Sequence, residues 1–427
     1  MKPLERKNKL LEIQQAKPEA EKALKLPYQG ETKAFDVYKI PIEFLVFNRE
    51  NGRIASLVKS YTREHQTINV DTEEGSNLIA KFLQSAHEER NKITRQDIIN
   101  NGQLQFGIVT SDGVIVDGNR RVALLKDIAN DDKISQSIRD RSKYFLAAIL
   151  PEEANTRDIL RLETQFQMGA DGKVDYNPIE KYLHAADMHN KLFTTDEIQS
   201  YMGFKKRQDV KQALEIVRLM DEYLKTYDYE GIYTQIPPGA EDRLLKLNDA
   251  IKKIKDGSIS WIPTDGKDEV ITNLKTICFD FIRLGEHNQD EYRAIMQGSY
   301  SFLVNENIWN QFVTSYFDKL DTISQETPTA QVLEKSHSDD DSTRLLKARD
   351  NQWRKEVKNL VSEVFQESKI SLDNNKDKDE PLKLLKRAIS ALNAINDEII
   401  KHATNKQELE QKLDEISNRV NSLKNHK

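Results

Sequence analysis

Apolar and polar positions change their period along this chain, and the change falls near Pro151. Before it, β-type runs alternate with helical stretches. Val37-Tyr38-Lys39-Ile40-Pro41-Ile42 is rich in branched and aromatic residues and predicts a strand. Residues 77–87 carry Leu78, Ile79, Phe82, Leu83 and Ala86 at helical spacing. Thr94, with Asp97 behind it and then Ile98-Ile99, predicts a helix start. Gly107-Ile108-Val109-Thr110 and Val114-Ile115-Val116, joined through Asp112-Gly113, predict a hairpin. A helix is expected from Asn119 to Lys126, and a buried strand over Phe145–Leu150. After Pro151 the expected elements are helices, at 153–168, 178–193, 195–202 and 207–226. Pro237-Pro238-Gly239 interrupts the pattern, and 267–320 is again mostly helical, with Trp309, Phe312, Tyr316 and Phe317 as a packed face.

Two further stripes lie near the end. Leu409, Leu413, Ile416, Val420 and Leu423 follow heptad a/d spacing, and Leu382, Leu385, Ile389, Leu392, Ile395 and Ile399 form another. His402 to Asn405 would join them as a helical hairpin, and the stripes suggest self-association. Ser336 to Ser342 is expected to be a solvated linker. The fold class is therefore α+β. The expected divisions are a charged, mobile arm over 1–34, an α/β domain over 35–150, a helical domain over 151–230, a second over 231–335, and a coiled-coil-like region over 343–427.

Charge and composition narrow the function. Lys and Arg number 64 against 70 Asp and Glu, a net charge of −6. That excludes coating nucleic acid by bulk charge and leaves room for a local basic patch. The single cysteine, Cys278, excludes an internal disulfide framework and a Cys-rich zinc site, and its apolar neighbours Ile277 and Phe279 make it an inert buried thiol. No run approaches the roughly 20 apolar residues of a membrane helix, and the N-terminus has no apolar signal core, so a cytoplasmic protein without membrane contact is expected. HExxH, CxxC, GxGxxG and GxxxxGK[ST] are all missing. His184 and His189 are five apart, off the spacing that puts two ligands on one helix face, and are expected to pack or face solvent.

The most informative stretch is Val116-Asp117-Gly118-Asn119-Arg120-Arg121-Val122-Ala123. A strand ends in Asp-Gly and a helix opens with two arginines. Helix N-termini carry partial positive charge and usually attract carboxylates. Two arginines there reinforce the positive end and would suit phosphate oxygens, with Gly118 allowing close backbone approach. Equally open at this point is a surface turn whose arginines pair with nearby carboxylates. A second constellation lies at 194–218. Thr194 or Thr195 caps a short helix with Ile198 and Met202 inward. Gly203 turns the chain, and a second helix turns Val210, Leu214 and Val217 inward. Lys205, Lys206, Arg207 and Lys211, with Arg218 beyond, stand where a recognition helix meets DNA; a packed helical pair with a charged face has the same pattern.

Taken in order, these segments resemble the ParB/sulfiredoxin-like superfamily in its ParB-type arrangement. Ile40-Pro41-Ile42 with Asn48, Asn51, Gly52 and Arg53 is similar to the family's opening strand and first box. Residues 101–109 (NGQLQFGIV) are similar to its glycine-leading strand, and Val116 to Leu124 to its phosphate box. Leu162-Glu163-Thr164-Gln165 stands where the family has a metal-holding Glu-Asn box. Asn177-Pro178-Ile179-Glu180 is similar to the opening of its helical domain, and 194–214 to its helix-turn-helix. The resemblance spans about residues 37–226.

It implies a nucleoside triphosphate, CTP or ATP, bound by Gly118, Asn119, Arg120, Arg121, Asn51 and Arg53, with Mg²⁺ on Glu163. It implies double-stranded DNA on Lys205, Lys206, Arg207 and Lys211, and a homodimer that nucleotide closes into a clamp, in plasmid or mobile-element maintenance or a defence system. Partition proteins usually carry Glu where this chain has Asn119, which cannot act as a base, and the segment after Glu163 holds an insertion, Met168 to Lys173. An enzyme of the same fold, a metal-dependent nuclease or a phosphotransferase or NTPase, would instead use Glu163 and Asp117 as ligand or base. A non-catalytic adaptor working through its helical end is the third possibility.

Overall fold

The computed structural model describes residues 1–16, 23–168, 177–285, 289–298, 300–336, 339–395 and 406–425. It is mostly helical with one small five-stranded sheet. The chain opens with helix α1 (Pro3–Gln15), then strands β1 (Ala23–Tyr28) and β2 (Glu31–Pro41). Helices α2 (Ala55–Glu64), α3 (Glu73–Ser85) and α4 (Glu88–Asn101) precede β3 (Gly107–Val109) and β4 (Ile115–Asp117). Then come α5 (Asn119–Asn130), α6 (Gln136–Ser142) and β5 (Tyr144–Ile149). The sheet order is β1-β2-β5-β3-β4, with β3 and β5 parallel and the other pairs antiparallel.

Alternation along β3 and β4 makes the sheet two-sided. Val109 and Ile115 face one core with Ile40, Phe47, Ile79, Ile98, Val122, Leu125 and Phe145, which draws α3, α4 and α5 onto that face. Ile108 and Val116 face the other way, against Leu26, Tyr28 and Leu150, and against Leu162 of α7 (Thr156–Met168). Each fully buried aliphatic side chain contributes about 1.5–3 kcal/mol, so both cores hold the strand that leads into α5.

Two expectations change here. The arm over 1–34 is not a free extension: α1 buries Leu10 and Arg6, the Arg6 guanidinium meets the Asp112 carbonyl and, at 2.8 Å, Asp71, and β1 is a strand of the sheet. Thr94 is not a helix start, because α4 already runs from Glu88 and places Thr94 mid-helix. Its cap-like spacing loses to Ile98, which anchors the whole α4 to the core.

A helical region follows: α8 (Pro178–Asn190), α9 (Thr195–Met202), α10 (Arg207–Thr226), α11 (Ala240–Lys255) and α12 (Lys267–Leu284). Asn177 caps α8 by accepting the Ile179 N–H at 3.0 Å, with Pro178 in the first turn, where its missing N–H does no harm. Leu160, Met188, Phe193, Ile198, Met202 and Val210 share a core that holds α7 to α10 together. Beyond lie α13 (Gln289–Met296), α14 (Glu306–Leu320), α15 (Thr329–Leu333), α16 (Asp339–Asn393) and α17 (Lys406–Asn425).

Residues 1–292 with 323–358 form one compact unit, and 293–322 with 359–427 a second. In the second unit Phe302 stacks with Phe312 and Phe365, and Trp309 and Tyr316 are buried. The expected linker gives way to helix at Asp339. The stripe residues Leu382, Leu385, Ile389, Leu413, Ile416, Val420 and Leu423 are exposed. The turn expected at 402–405 and the insertion after Met168 fall outside the described residues. Among the described residues no helix is long and apolar enough to cross a membrane.

Candidate anion site and helix-turn-helix

The site grows from the end of β4. Gly118 follows Asp117 with φ of 106°, and a Cβ there would stand 2.4 Å from Phe145 Cζ. Only glycine fits that turn, and it aims the first-turn amides of α5 out of the sheet end. Asn119 is buried: its Oδ1 accepts the Asn48 N–H at 2.9 Å and its Nδ2 donates to the Ile115 carbonyl at 2.9 Å. It staples the 48–51 loop to β4. The Asn51 Oδ1 accepts the Arg53 N–H at 3.0 Å and shapes the short turn Gly52–Ile54.

The two arginines diverge. Arg121 pairs with Asp117 and donates to the Gln105 carbonyl at 3.2 Å and to its Oε1 at 3.1 Å. Arg120 turns toward α4, its Nη2 reaching Thr94 Oγ1 at 3.5 Å. Its Nη1 is buried and has no hydrogen-bond partner among the described residues, and the same holds for Arg53 Nε. Burial, then Arg53, Arg90 and Arg121, pull the Arg120 guanidinium down to about 10, so it stays charged at neutral pH. Among the described residues no carboxylate is one of the groups that act on it. Burial, then Arg120, Arg53 and Arg90, also hold the His87 imidazole below its usual range.

Arg53, Arg90 and Arg120 thus gather, with His87, from three elements. Sequence reasoning found Arg53 and Arg120 and missed Arg90 and His87. Their signal was faint: a histidine and an arginine one helical turn apart at the head of α4. Like charges brought together and partly desolvated are unfavourable unless a counter-charge joins them. An anion with several oxygens would fit the two buried nitrogens, Arg120 Nη1 and Arg53 Nε, that lack acceptors among the described residues.

Glu163 lies on α7 and is buried, accepting from Asn48 Nδ2 at 2.9 Å and from the Gly52 N–H at 3.4 Å. It braces the loop that carries Arg53. The neighbouring Thr164 Oγ1 donates to the Leu160 carbonyl at 2.7 Å and lies 2.8 Å from Nε2 of His184. His184 is fully buried and its pKa is lowered to about 4 by desolvation. Among the described residues no group of three or more His, Cys, Asp or Glu is placed to hold a metal ion. Glu163 with Asn119 does not fit a protein-held Mg²⁺, which wants several oxygen ligands in near-octahedral order, because both side chains are committed to the loop.

Two helices joined by a turn, α9 and α10, lie at the bounds expected from the residues. Thr194 and Glu197 form a reciprocal capping box on α9, Gly203 takes φ of 65°, and α10 starts at Arg207. Ile198, Met202, Val210 and Val217 are buried, and Leu214 is half-buried. Lys205, Lys206, Arg207 and Lys211 are exposed at the head of α10. Arg207 is engaged by Asp196, and Asp209 accepts the Lys206 N–H at 3.0 Å. Three lysines therefore remain as the outward cations of this turn.

Compared with protein-family models, with curated proteins and with solved structures, the chain finds no match.

Proposed function

We propose that this chain is a ParB-like, DNA-contacting protein whose N-terminal α/β domain binds a nucleoside triphosphate by its phosphates. The observation that carries the reading is the arginine cluster: among the described residues, Arg120 and Arg53 each bury a guanidinium nitrogen without a partner, and no carboxylate acts on Arg120. Arg120, Arg53 and Arg90 take the phosphate oxygens. Gly118 and Asn119 set the turn, and Arg121 holds the Asp117 end of β4 rather than the ligand. Lys205, Lys206 and Lys211 contact DNA phosphates, where the net charge of −6 favours a small footprint. The exposed heptad stripes of α16 and α17 pair two copies.

Binding is favoured over turnover, because both carboxylates suggested for chemistry are engaged: Asp117 by Arg121, and Glu163 by Asn48 and Gly52. The test is equilibrium binding of CTP, ATP, GTP, UTP and inorganic tripolyphosphate, with and without duplex DNA. At least one nucleotide is expected to bind. Arg120→Ala should weaken it about tenfold or more, the loss of one charged hydrogen-bonding group, and Arg121→Ala less. Absence of binding by the folded wild-type protein overturns the reading.

A further inference from the structure

Leu382, Leu385, Ile389 and Leu392 run along the end of α16, and Leu413, Ile416, Val420 and Leu423 along α17. Within the single chain each of these eight side chains keeps between 36% and 59% of its surface exposed. That leaves on the order of 600 Å² of apolar surface per copy, and two copies reach the roughly 1,200 Å² at which stable interfaces begin. Both stripes step 3, 4, 3, a spacing that is the same read forwards or backwards. Apolar layers therefore match whether the helices pair like with like or crosswise, parallel or antiparallel, and the flanking side chains decide.

On α17, Lys412 and Arg419 stand just before a positions, and Glu410, Ser417 and Lys424 just after d positions. A parallel pair of α17 helices sets Arg419 of one copy against Lys424 of the other. An antiparallel pair sets Arg419 against Arg419 or against Lys412. Crosswise and parallel, Lys386 of α16 meets Lys412, which also has Glu415 of its own helix at 2.7 Å. Crosswise and antiparallel, Lys386 falls beside Ser417, Asn393 beside Glu410 and Ala388 beside Arg419, and no like charges are opposed. Like charges at these positions are destabilising, and they select partner and direction. Pairing α16 with itself returns α17 to its own copy and to that repulsion.

We propose that the end of α16 lies antiparallel along α17 of a second copy of this chain, with Leu382 opposite Leu423, Leu385 opposite Val420, Ile389 opposite Ile416 and Leu392 opposite Leu413. The inference rests on the reading that the two stripes pair two copies, and adds which helix meets which. A twofold axis makes every contact occur twice, so both stripes of both copies are covered.

The experiment is thiol pairing in the full chain, which the one native cysteine leaves open because Cys278 is buried. A disulfide needs Cα atoms about 4.4–6.8 Å apart, so only directly opposed layers bridge. Light scattering of the wild type should give twice the monomer mass; a monomer overturns the reading and the proposal together. Under mild oxidation, Leu385→Cys with Val420→Cys in one chain should give a covalent dimer on a non-reducing gel, at doubled mass. Each substitution alone should stay at monomer mass, and the two single variants mixed should again yield the covalent dimer. An internally bridged monomer from the double variant places the pairing within one chain and overturns the proposal. Covalent dimers from either single variant place like helices together; they overturn the proposal and leave the pairing of two copies standing. A dimeric double variant that forms no bond overturns the register, and the proposal with it.

Discussion

Arg283 and Arg120 both lie in the first unit, and both take guanidinium nitrogens out of water, in opposite surroundings. Arg283 on α12 is fully buried. It makes a two-pronged pair with Glu326 at 2.6 and 2.7 Å and meets Asp350 at 2.7 and 2.9 Å. Trp353 and Tyr227 cover its faces at 4.3 and 4.5 Å, and Tyr229 fixes Asp350 through a 2.7 Å hydrogen bond. Burial opposes its charge, but Glu326 and Asp350 outweigh burial and raise its pKa. Burial, then Arg53, Arg90 and Arg121, lower the pKa of Arg120, and among the described residues no acidic neighbour acts on it. The first arginine is complete within the fold and fastens helices. The second, in the reading proposed above, is completed by an anion from outside. Burial alone therefore says little about role; the sign of the neighbouring charges separates a structural arginine from a binding one.

The largest effect that tests this contrast is at Arg283. Arg283→Met should lower unfolding free energy by about 3–5 kcal/mol, since Asp350 is left as a buried acid without its cation, while Glu326, half-buried, keeps Arg349 at 3.3 Å. Urea denaturation measures it. A loss under about 1 kcal/mol, the worth of a surface pair, would place Arg283 among ordinary exposed ion pairs and dissolve the comparison.

The contrast was only half legible in the sequence. Asp117 and Arg121 sit four apart across a helix start, a spacing that suits an ion pair, and that alternative was open from the residues alone. Capping chemistry located α9 and α10 to the residue, because Thr194, Glu197 and Gly203 act within a single turn. Arg90 and His87 escaped because their meeting with Arg120 is tertiary. Local spacing also favoured Thr94 as a start, whereas burial of Ile98 and Asn91 holds α4 in one piece from Glu88. The Arg283 cage escaped for the same reason: its partners lie 43 and 67 residues away. Nearest-neighbour chemistry is readable in a chain; the sign of the field from distant elements is not.

His184 sharpens the comparison, since it is as buried as Arg283 yet can discard its charge. Burial lowers its pKa in the folded protein to about 4, from an ordinary imidazole value of 6.5. The unfolded chain therefore takes the proton first as pH falls. The stability contributed by the neutral ring is complete above pH 6.5, lost between 6.5 and about 4, and flat below. The span corresponds to about 3 kcal/mol. Measured by denaturation at stepped pH, His184→Gln should flatten the acid slope in that window. An unchanged slope would mean that His184 is already protonated in the folded protein, and that the interior tolerates an unpaired cation.

The smallest effect on stability is the most informative about function. Arg120→Gln removes a charge repelled by Arg53, Arg90 and Arg121. A structural arginine costs stability when removed; this one should leave it unchanged within about 0.5 kcal/mol or raise it. The same substitution should weaken tripolyphosphate binding about tenfold or more, as a charged hydrogen-bonding group is lost from the anion site. Stability and affinity thus move independently, or in opposite directions, at Arg120, while at Arg283 stability alone collapses. A wild type stabilised by added tripolyphosphate and an Arg120→Gln protein indifferent to it would join the two measurements in one thermal scan, because a ligand that binds only the folded state raises its midpoint by mass action. A variant that loses stability as Arg283→Met does would show instead that Arg120 has a partner within the fold, and the cluster would be a fastening rather than a site.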